Sequence, residues 1–389
     1  MNSFFSPPLY MQRYQFVIEF VKKFEPRKVM DLGCSDCRLL KKLKFHRNGV
    51  ELLVGVDIDC RTIKQAMHGL APLSSDYLKP STRPLTIELY HGSVTEREPC
   101  TRGFDLVTCI ELVEHLQICD VDRFSEVVFG YMEPNAVIIS MPNVEFNSLL
   151  PGLSGFRHKD HKFEWTRAEF QTWALRVCMQ YGYSVEFTGV GEAPGQDEDV
   201  GFCSQIGVFH RDTGYLNTQG NSPELEPAVY RLLYKVVYPS LCDNNIFQRT
   251  LVSEVLYRAE KLKNEWLEER NCVHCDSTRC EHTRASEAVR QDREDEMYKQ
   301  GSWVCVPLLL VWTDVSVRSM CGNVQSLREA LLGDSQVQLD AGGEAIMLAD
   351  NLDETEETDE EENDEDQNAI CALRTVNENV EEDWESELR

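Results

Sequence analysis

Residues 104–116 read FDLVTCIELVEHL, and the fold follows from how that stretch is read. Leu106 to Ile110 is a short apolar run with β-branched members, the pattern of a strand buried on both faces. Glu111, Glu114 and His115 come directly after it. If a helix opens just past Glu111, positions i, i+3 and i+4 share one face, and three potential metal ligands meet at a strand-to-helix turn. Open α/β sheets carry their chemistry at that end of their strands. On a surface helix the same spacing would be a solvated charged face, but here Leu112, Val113 and Leu116 supply a core-facing side.

The flanking sequence repeats the strand-then-helix rhythm. Upstream, Leu9 to Phe24 has helical apolar spacing and is stopped by Glu25-Pro26. Strands are predicted at residues 28–32, 52–59 and 86–90, with helices over 39–45 and 60–70. Downstream, Ala136 to Ser140 reads as a fifth strand, residues 165–179 as a helix, and 183–187 and 206–209 as late strands. Such alternation predicts an α/β fold with a mainly parallel sheet and helices on both faces. The last two strands have a shorter connection and are expected to pair antiparallel at an edge.

Composition narrows the class. The chain has 389 residues and a net charge of −27. Residues 340–389 hold 20 of the 66 acids and 2 of the 39 bases, so −18 of that charge lies in the tail. The body is only mildly acidic, and local patches rather than net charge decide whether it meets nucleic acid. No basic n-region with an apolar run opens the chain. No stretch approaches the roughly 20 apolar residues that span a bilayer, so no membrane partner is expected. Fifteen cysteines without a framework pattern fit an intracellular, reduced protein, expected in the cytoplasm.

Asp31-Leu32-Gly33-Cys34-Ser35-Asp36-Cys37 follows a strand and precedes a helix. It resembles the first motif of class I methyltransferases, DxGxGxG, with Ser35 and Cys37 standing where two glycines are usual. Gly33 lets the backbone turn close to a ligand, and the amides near Cys37 and Arg38 can face a polar group at the helix start. Asp57 ends the second strand 24 residues after Gly33, where an acid can accept both ribose hydroxyls of an adenosyl group. Ser93, after the third strand, falls where the adenine would be held. The GxGxxG spacing of a nicotinamide-dinucleotide site is missing. The fold expected is therefore a Rossmann-like class I methyltransferase that binds S-adenosylmethionine through Asp31, Gly33, Arg38, Asp57 and Ser93.

A second cluster, Phe156 to Thr166 (FRHKDHKFEWT), follows the fifth strand, with Thr166 as a plausible N-cap. Either of its histidines, His158 or His161, can add a fourth ligand. The string HKFEWT over 161–166, together with Glu111-Leu112-Val113-Glu114-His115, resembles the Hen family of small-RNA 3′-terminal 2′-O-methyltransferases. The resemblance covers roughly residues 26–210 and is strongest to the animal members, which modify Piwi-interacting RNAs. It implies a metal site of two glutamates and two histidines, falling on Glu111, Glu114, His115 and His161. His161 is preferred to His158 because it is the one in the DHKFEWT string. It also implies cofactor contacts near Arg38 and on Asp57 and Ser93.

The chemistry is consistent with that ligand set. A divalent ion holding the 2′ and 3′ oxygens of a terminal ribose would lower the 2′-hydroxyl pKa and aim it at the methyl sulfonium. DNA, lacking that hydroxyl, could not react. Mg²⁺ or Mn²⁺ is expected, and with imidazoles among the ligands Mn²⁺ or Co²⁺ should bind at least as well as Mg²⁺. Arg157, Lys159, Lys162 and Arg167 read as a basic patch for terminal phosphates or as a solvated loop. The expected partner is the 3′ end of a single-stranded small RNA, with a Piwi-class Argonaute as candidate presenter and germ granules as candidate location. Two rivals stand beside this reading: a metal-assisted methyltransferase acting on a small molecule or protein, and a non-catalytic RNA 3′-end-binding module.

The expected organisation is an N-terminal helix (1–25), a methyltransferase domain (26–210), a helical extension (211–263), a poorly ordered Cys-containing linker (264–340) and a disordered acidic tail (341–389). Cys272, Cys275, Cys280 and His282 in that linker have a knuckle-like spacing, but a Cys-rich linker is the preferred reading.

Overall fold

Five apolar runs become five neighbouring parallel strands. The computed structural model describes residues 5–46, 49–192, 200–212, 227–272 and 296–350. In chain order the first part comprises α1 (Leu9–Phe24), β1 (Lys28–Leu32), α2 (Arg38–Phe45), β2 (Leu52–Asp57), α3 (Cys60–Ala66), α4 (Ser74–Leu78), β3 (Thr86–His91), β4 (Leu106–Ile110), α5 (Val121–Ser125), β5 (Ala136–Pro142), α6 (Arg167–Tyr181), β6 (Tyr183–Val190) and β7 (Ser204–Arg211). A strand β8 (Arg231–Val237) completes one sheet of order β6-β7-β5-β4-β1-β2-β3-β8. Pairings among β1 to β5 are parallel. β7 lies antiparallel to both β5 and β6, as the short connection predicted. This is a Rossmann-like sheet whose strand order reverses at β1/β4, the place where such folds open a crevice for ligands.

Alternation along each strand divides the core. Val54, Val56, Val107, Cys109, Val137 and Ile139 face one layer with Phe124, Phe170 and Trp173. Leu53, Ile87, Leu106 and Ile138 face the other, with Val17, Val21, Leu40 and Leu43 of α1 and α2. α6 begins at a capping box in which the Thr166 hydroxyl accepts from the Glu169 amide and Glu169 bonds back to the Thr166 amide, and it stops at Gly182 in the left-handed region.

The helical extension expected over 211–263 is corrected. Val229, Leu232, Leu233, Val236 and Val237 do not form a helix; residues 231–237 are β8, antiparallel to β3. Their spacing suits either period, and the hydrogen-bonding edge of β3 decides it. Leu233 and Val236 pack on the core while Leu232 and Val237 stay exposed.

The expected linker and the start of the expected tail are corrected as well. The described residues divide into two compact units, the first running to Pro239 without residues 78–82, and the second taking residues 78–82 and the described residues from Ser240 to Asp350. In the second, α7 (Asn244–Cys272) is followed by β9 (Tyr298–Gln300), β10 (Trp303–Pro307), α8 (Leu308–Trp312), α9 (Val315–Met320), α10 (Val324–Leu331) and β11 (Ala345–Ala349). The strands form an antiparallel sheet of order β11-β10-β9. Leu251, Val255, Val304, Val306, Val317, Leu327 and Ile346 make its core. Each of these apolar residues sits in a short segment among polar ones, so only long-range packing brings them together. Cys275, Cys280 and His282, and the tail beyond Asp350, lie outside the described residues. Among the described residues no helix is long and apolar enough to cross a membrane.

Candidate active site

The turn after β4 departs from the helix expected there. Glu111 adopts a left-handed backbone, φ +51°, so the chain breaks before any helix can start. A single 3₁₀ turn over Val113–His115 follows. Surrounding groups hold Glu111 in place. Its amide donates to the Ser140 carbonyl at 3.1 Å. Its carboxylate oxygen Oε1 accepts from Ser140 Oγ at 2.9 Å and Ser204 Oγ at 2.7 Å. Oε2 lies 3.6 Å from Nη1 of Arg13, a buried arginine on the apolar face of α1. Glu114 is fully buried, and its carbonyl accepts from the Lys162 amide at 2.8 Å, which ties this turn to the loop after β5.

That loop delivers two further imidazoles. The rings of His115 and His161 are 4.8 Å apart, those of His158 and His161 5.7 Å, and those of His115 and His158 5.9 Å. Ligand nitrogens of the three lie within 4.8 Å of one another. Of the four predicted ligands, His115 and His161 therefore meet, joined by His158. Glu111 and Glu114 do not belong to that group.

His161 is held from behind. Its Nδ1 is 2.6 Å from Glu164 Oε1, so Nε2 is the nitrogen that could hold an ion. Glu164 also accepts from the Arg157 amide at 2.6 Å and from Asn147 Nδ2 at 2.7 Å. Burial pushes the Glu164 carboxyl up, but the bonds from His161, Arg157 and Asn147 and the Arg157 charge outweigh it and hold it below its ordinary value. Arg157 is buried, donating to Asn147 Oδ1 at 2.6 Å, to the Cys203 carbonyl at 2.8 Å and to the Asn143 carbonyl. It is a brace of the loop, so the expected surface patch loses that member. Lys159 and Lys162 are exposed, and Arg167 Nε pairs with Glu145 at 2.5 Å.

The donor set fits a divalent cation. Three imidazoles whose ligand nitrogens lie within 4.8 Å of one another, next to the buried carboxylate of Glu114, are the mixed nitrogen and oxygen donors that first-row divalent cations take. A carboxylate bonded to the far nitrogen of a histidine is the arrangement that orients a metal ligand.

The cofactor residues line the adjoining strand ends. Asp31 is buried and accepts from Thr108 Oγ1 at 2.6 Å. Asp57 closes β2, its Oδ2 accepting from the Ser35 amide at 2.8 Å and its Oδ1 from the Asp59 amide at 2.7 Å. Ser35 and Cys37 have φ of +43° and +63°, so both take the conformation that a glycine would supply more easily. The Cys37 thiol beside it, and burial, push the Cys34 thiol well above its ordinary value, so it is a packing group rather than a nucleophile. Arg38 opens α2 with Nε 2.8 Å from Asp36 and its guanidinium 5.8 Å over the Tyr10 ring. Ser93 pairs with Thr95 Oγ1 at 2.8 Å, and its carbonyl accepts from the Tyr230 hydroxyl at 2.7 Å.

Several of these contacts were not anticipated from the sequence. Ser140 is a polar position in an otherwise apolar strand, and Arg13 interrupts the apolar row Leu9, Val17, Val21; such breaks were the available signal, and Ser204, before the expected strand 206–209, carried none. Tyr230 and Glu98 carried none, because their meeting depends on β8.

Comparison with known proteins agrees with this arrangement. The HENMT1 C-terminal domain family matches residues 245–350. The chain is 45% identical over 359 residues to a small RNA 2′-O-methyltransferase of Gallus gallus, covering 88% of this chain and 94% of that one. It is 41% identical over 369 residues to a protein of the same name from Xenopus tropicalis, covering 90% and 98%. The crystal structure of the small RNA methyltransferase HEN1 superposes with a TM-score of 0.53 at 30% identity, over 62% of this chain and 28% of that one. With a three-histidine cluster at one edge of a Rossmann-like sheet, and relatives of that kind over nearly its whole length, the chain is an S-adenosylmethionine-dependent enzyme belonging to the small RNA 2′-O-methyltransferase family.

Proposed function

We propose that the enzyme transfers the methyl group of S-adenosylmethionine to the 2′-hydroxyl of the 3′-terminal nucleotide of single-stranded small RNAs, Piwi-interacting RNAs among them, and so protects the RNA 3′ end. The observation that carries this reading is the convergence of His115, His158 and His161 beside Glu114, on a turn that packs against the methyl-donor loop. His115 and His161, with Glu114 and Glu111, would hold a divalent ion, and His158 is placed to join them. An imidazole-rich set of this kind favours Mn²⁺ or Co²⁺ over Mg²⁺. When bound, such an ion supplies Lewis acidity that makes a ribose hydroxyl a better nucleophile at neutral pH.

The protein's own residues do the rest. Glu164 fixes the His161 ring through Nδ1. Ser140, Ser204 and Arg13 fix the Glu111 carboxylate. Asp57 at the end of β2 is placed to accept ribose hydroxyls of the methyl donor, and Ser93 to border its adenine. A Piwi-class Argonaute as presenter and a location in the cytoplasm or germ granules rest on the family resemblance alone.

The test is methyl transfer from labelled cofactor to one RNA sequence with three ends. A 2′,3′-diol end should accept methyl in the presence of Mn²⁺, whereas a 2′-deoxy end and a 3′-phosphate end should not. Equal labelling of the diol and 3′-phosphate ends would overturn the role assigned to the metal cluster.

A further inference from the structure

A cavity of 210 Å³ opens at the same edge of the sheet, on the side away from the methyl-donor loop. It lies between the start of α6, the end of β6 and the start of β7. Phe170, 1% exposed, underlies it, Phe187 and Phe202 border it, and Gln171 and Arg167 supply the polar lining, while the buried Asn143 amide is spent on the Val200 and Phe202 carbonyls. None of the lining side chains is acidic, in a protein whose net charge is −27.

The wall of this cavity is also the support of the candidate active site. The Phe202 carbonyl accepts from Asn143 Nδ2 at 2.9 Å. The Cys203 carbonyl accepts from Arg157, whose own amide bonds Glu164 behind His161. Ser204 donates to Glu111. Phe202 lines the cavity, while the next two residues brace candidate metal ligands, Ser204 by its bond to Glu111 and Cys203 through Arg157 and Glu164. Gly201 has φ +75°, and a Cβ there would stand 3.1 Å from Arg167 Cδ, so the backbone and the arginine are closely fitted at the rim.

We infer that this cavity is a nucleobase subsite for one of the RNA's 3′-proximal nucleotides. The inference rests on the RNA reading above. Single-stranded RNA is recognised by bases splayed onto aromatic rings and read along their edges by amide and guanidinium groups, and the cavity offers that combination within reach of one strand end. The methyl donor is an unsuitable occupant, because Asp57 and Ser93 lie at the ends of β2 and β3, on the other side of β5, β4 and β1 in the sheet.

The test uses the full chain and a single-stranded RNA with a 2′,3′-diol end, in which each of the last nucleotides is replaced in turn by an abasic one. For the native enzyme, one abasic position should raise KM for RNA by about tenfold, the scale of one lost base-to-ring stack. Phe202→Ala should raise it by the same factor, and the two changes together should do no more than either alone. KM for S-adenosylmethionine should stay as it is. Additive effects, or an unchanged KM for RNA in Phe202→Ala, would overturn the inference. Gln171→Ala, an exposed position on α6, keeps the test decisive if Phe202→Ala folds poorly: it should level the preference among the four bases at that one position, and an unchanged preference counts against the subsite. Absence of methylation by the native enzyme on the diol RNA would instead sink the parent reading, and the subsite with it.

Discussion

Leu112 lies on Gly33. A Cβ at position 33 would stand 2.8 Å from Leu112 Cδ1, and Gly33 has φ +75°. The residue that follows the first candidate metal ligand therefore roofs the glycine of the methyl-donor loop, and the two halves of the site are in direct contact. Gly33→Ala meets two obstacles. The backbone term costs roughly 1–2 kcal/mol for a residue with a Cβ in that region, and the steric term falls on the far end of a leucine. Denaturant unfolding should show the loss, and Leu112→Ala combined with Gly33→Ala should relieve only the steric part.

Glu164 acts on the metal cluster only through His161. Replacing it by glutamine keeps the size and one acceptor but removes the negative charge at Nδ1. Loss of such a partner typically weakens metal binding by about 10–100-fold. Glu164→Gln should need correspondingly more Mn²⁺ to reach half-maximal activity, with KM for the methyl donor unmoved. An unchanged Mn²⁺ requirement would remove the ligand role from His161.

Tyr230 reaches the cofactor side of the site from β8. Its hydroxyl donates to the Ser93 carbonyl at 2.7 Å, and its ring lies on Gly92, where a Cβ would be 2.2 Å away. Tyr230→Phe keeps the ring and deletes the bond, a loss of about 0.5–1.5 kcal/mol. KM for S-adenosylmethionine should rise roughly three- to tenfold, and kcat and KM for RNA should not move. Steady-state kinetics with each substrate varied separately would show it.

Glu98 anchors the start of β8 by accepting from the Val229 and Tyr230 amides at 2.7 and 2.8 Å. Burial pushes its carboxyl up, but bonds from the Tyr230, Val229 and Cys100 amides outweigh that and hold it below its ordinary value. The folded state then binds this proton less readily than the unfolded chain does. Its contribution to stability is complete above the ordinary carboxylate value and is lost as pH falls through the lowered one. Melting of the native protein and of Glu98→Gln across the acid range should show a stability gap that closes as pH falls. A gap constant with pH would mean that the charge at Glu98 is immaterial.

How much of this was readable beforehand depends on where the deciding contacts lie. The strands β1 to β5 read directly, because a parallel strand covered on both faces must be apolar throughout. Asp31, Gly33, Asp57 and Ser93 followed, since each sits at the end of such a run. Thr166 announced the start of α6, because a cap is local chemistry. His158 joined His115 and His161 although the string DHKFEWT had favoured His161 alone.

The sequence by itself determined the parallel sheet, the tight turn after β1 and the segments that carry the candidate site, because those rest on short-range patterns of burial and turn chemistry. Tertiary structure alone decided the rest. Glu111 leaves helical geometry because Ser140, Ser204 and Arg13, from three distant elements, hold its carboxylate and its amide. Residues 231–237 become a strand because β3 offers an unsatisfied edge. The second unit folds because scattered apolar residues from α7 to β11 bury one another. Each of these outcomes is set by contacts between residues far apart in the chain, whose free energy no local window contains.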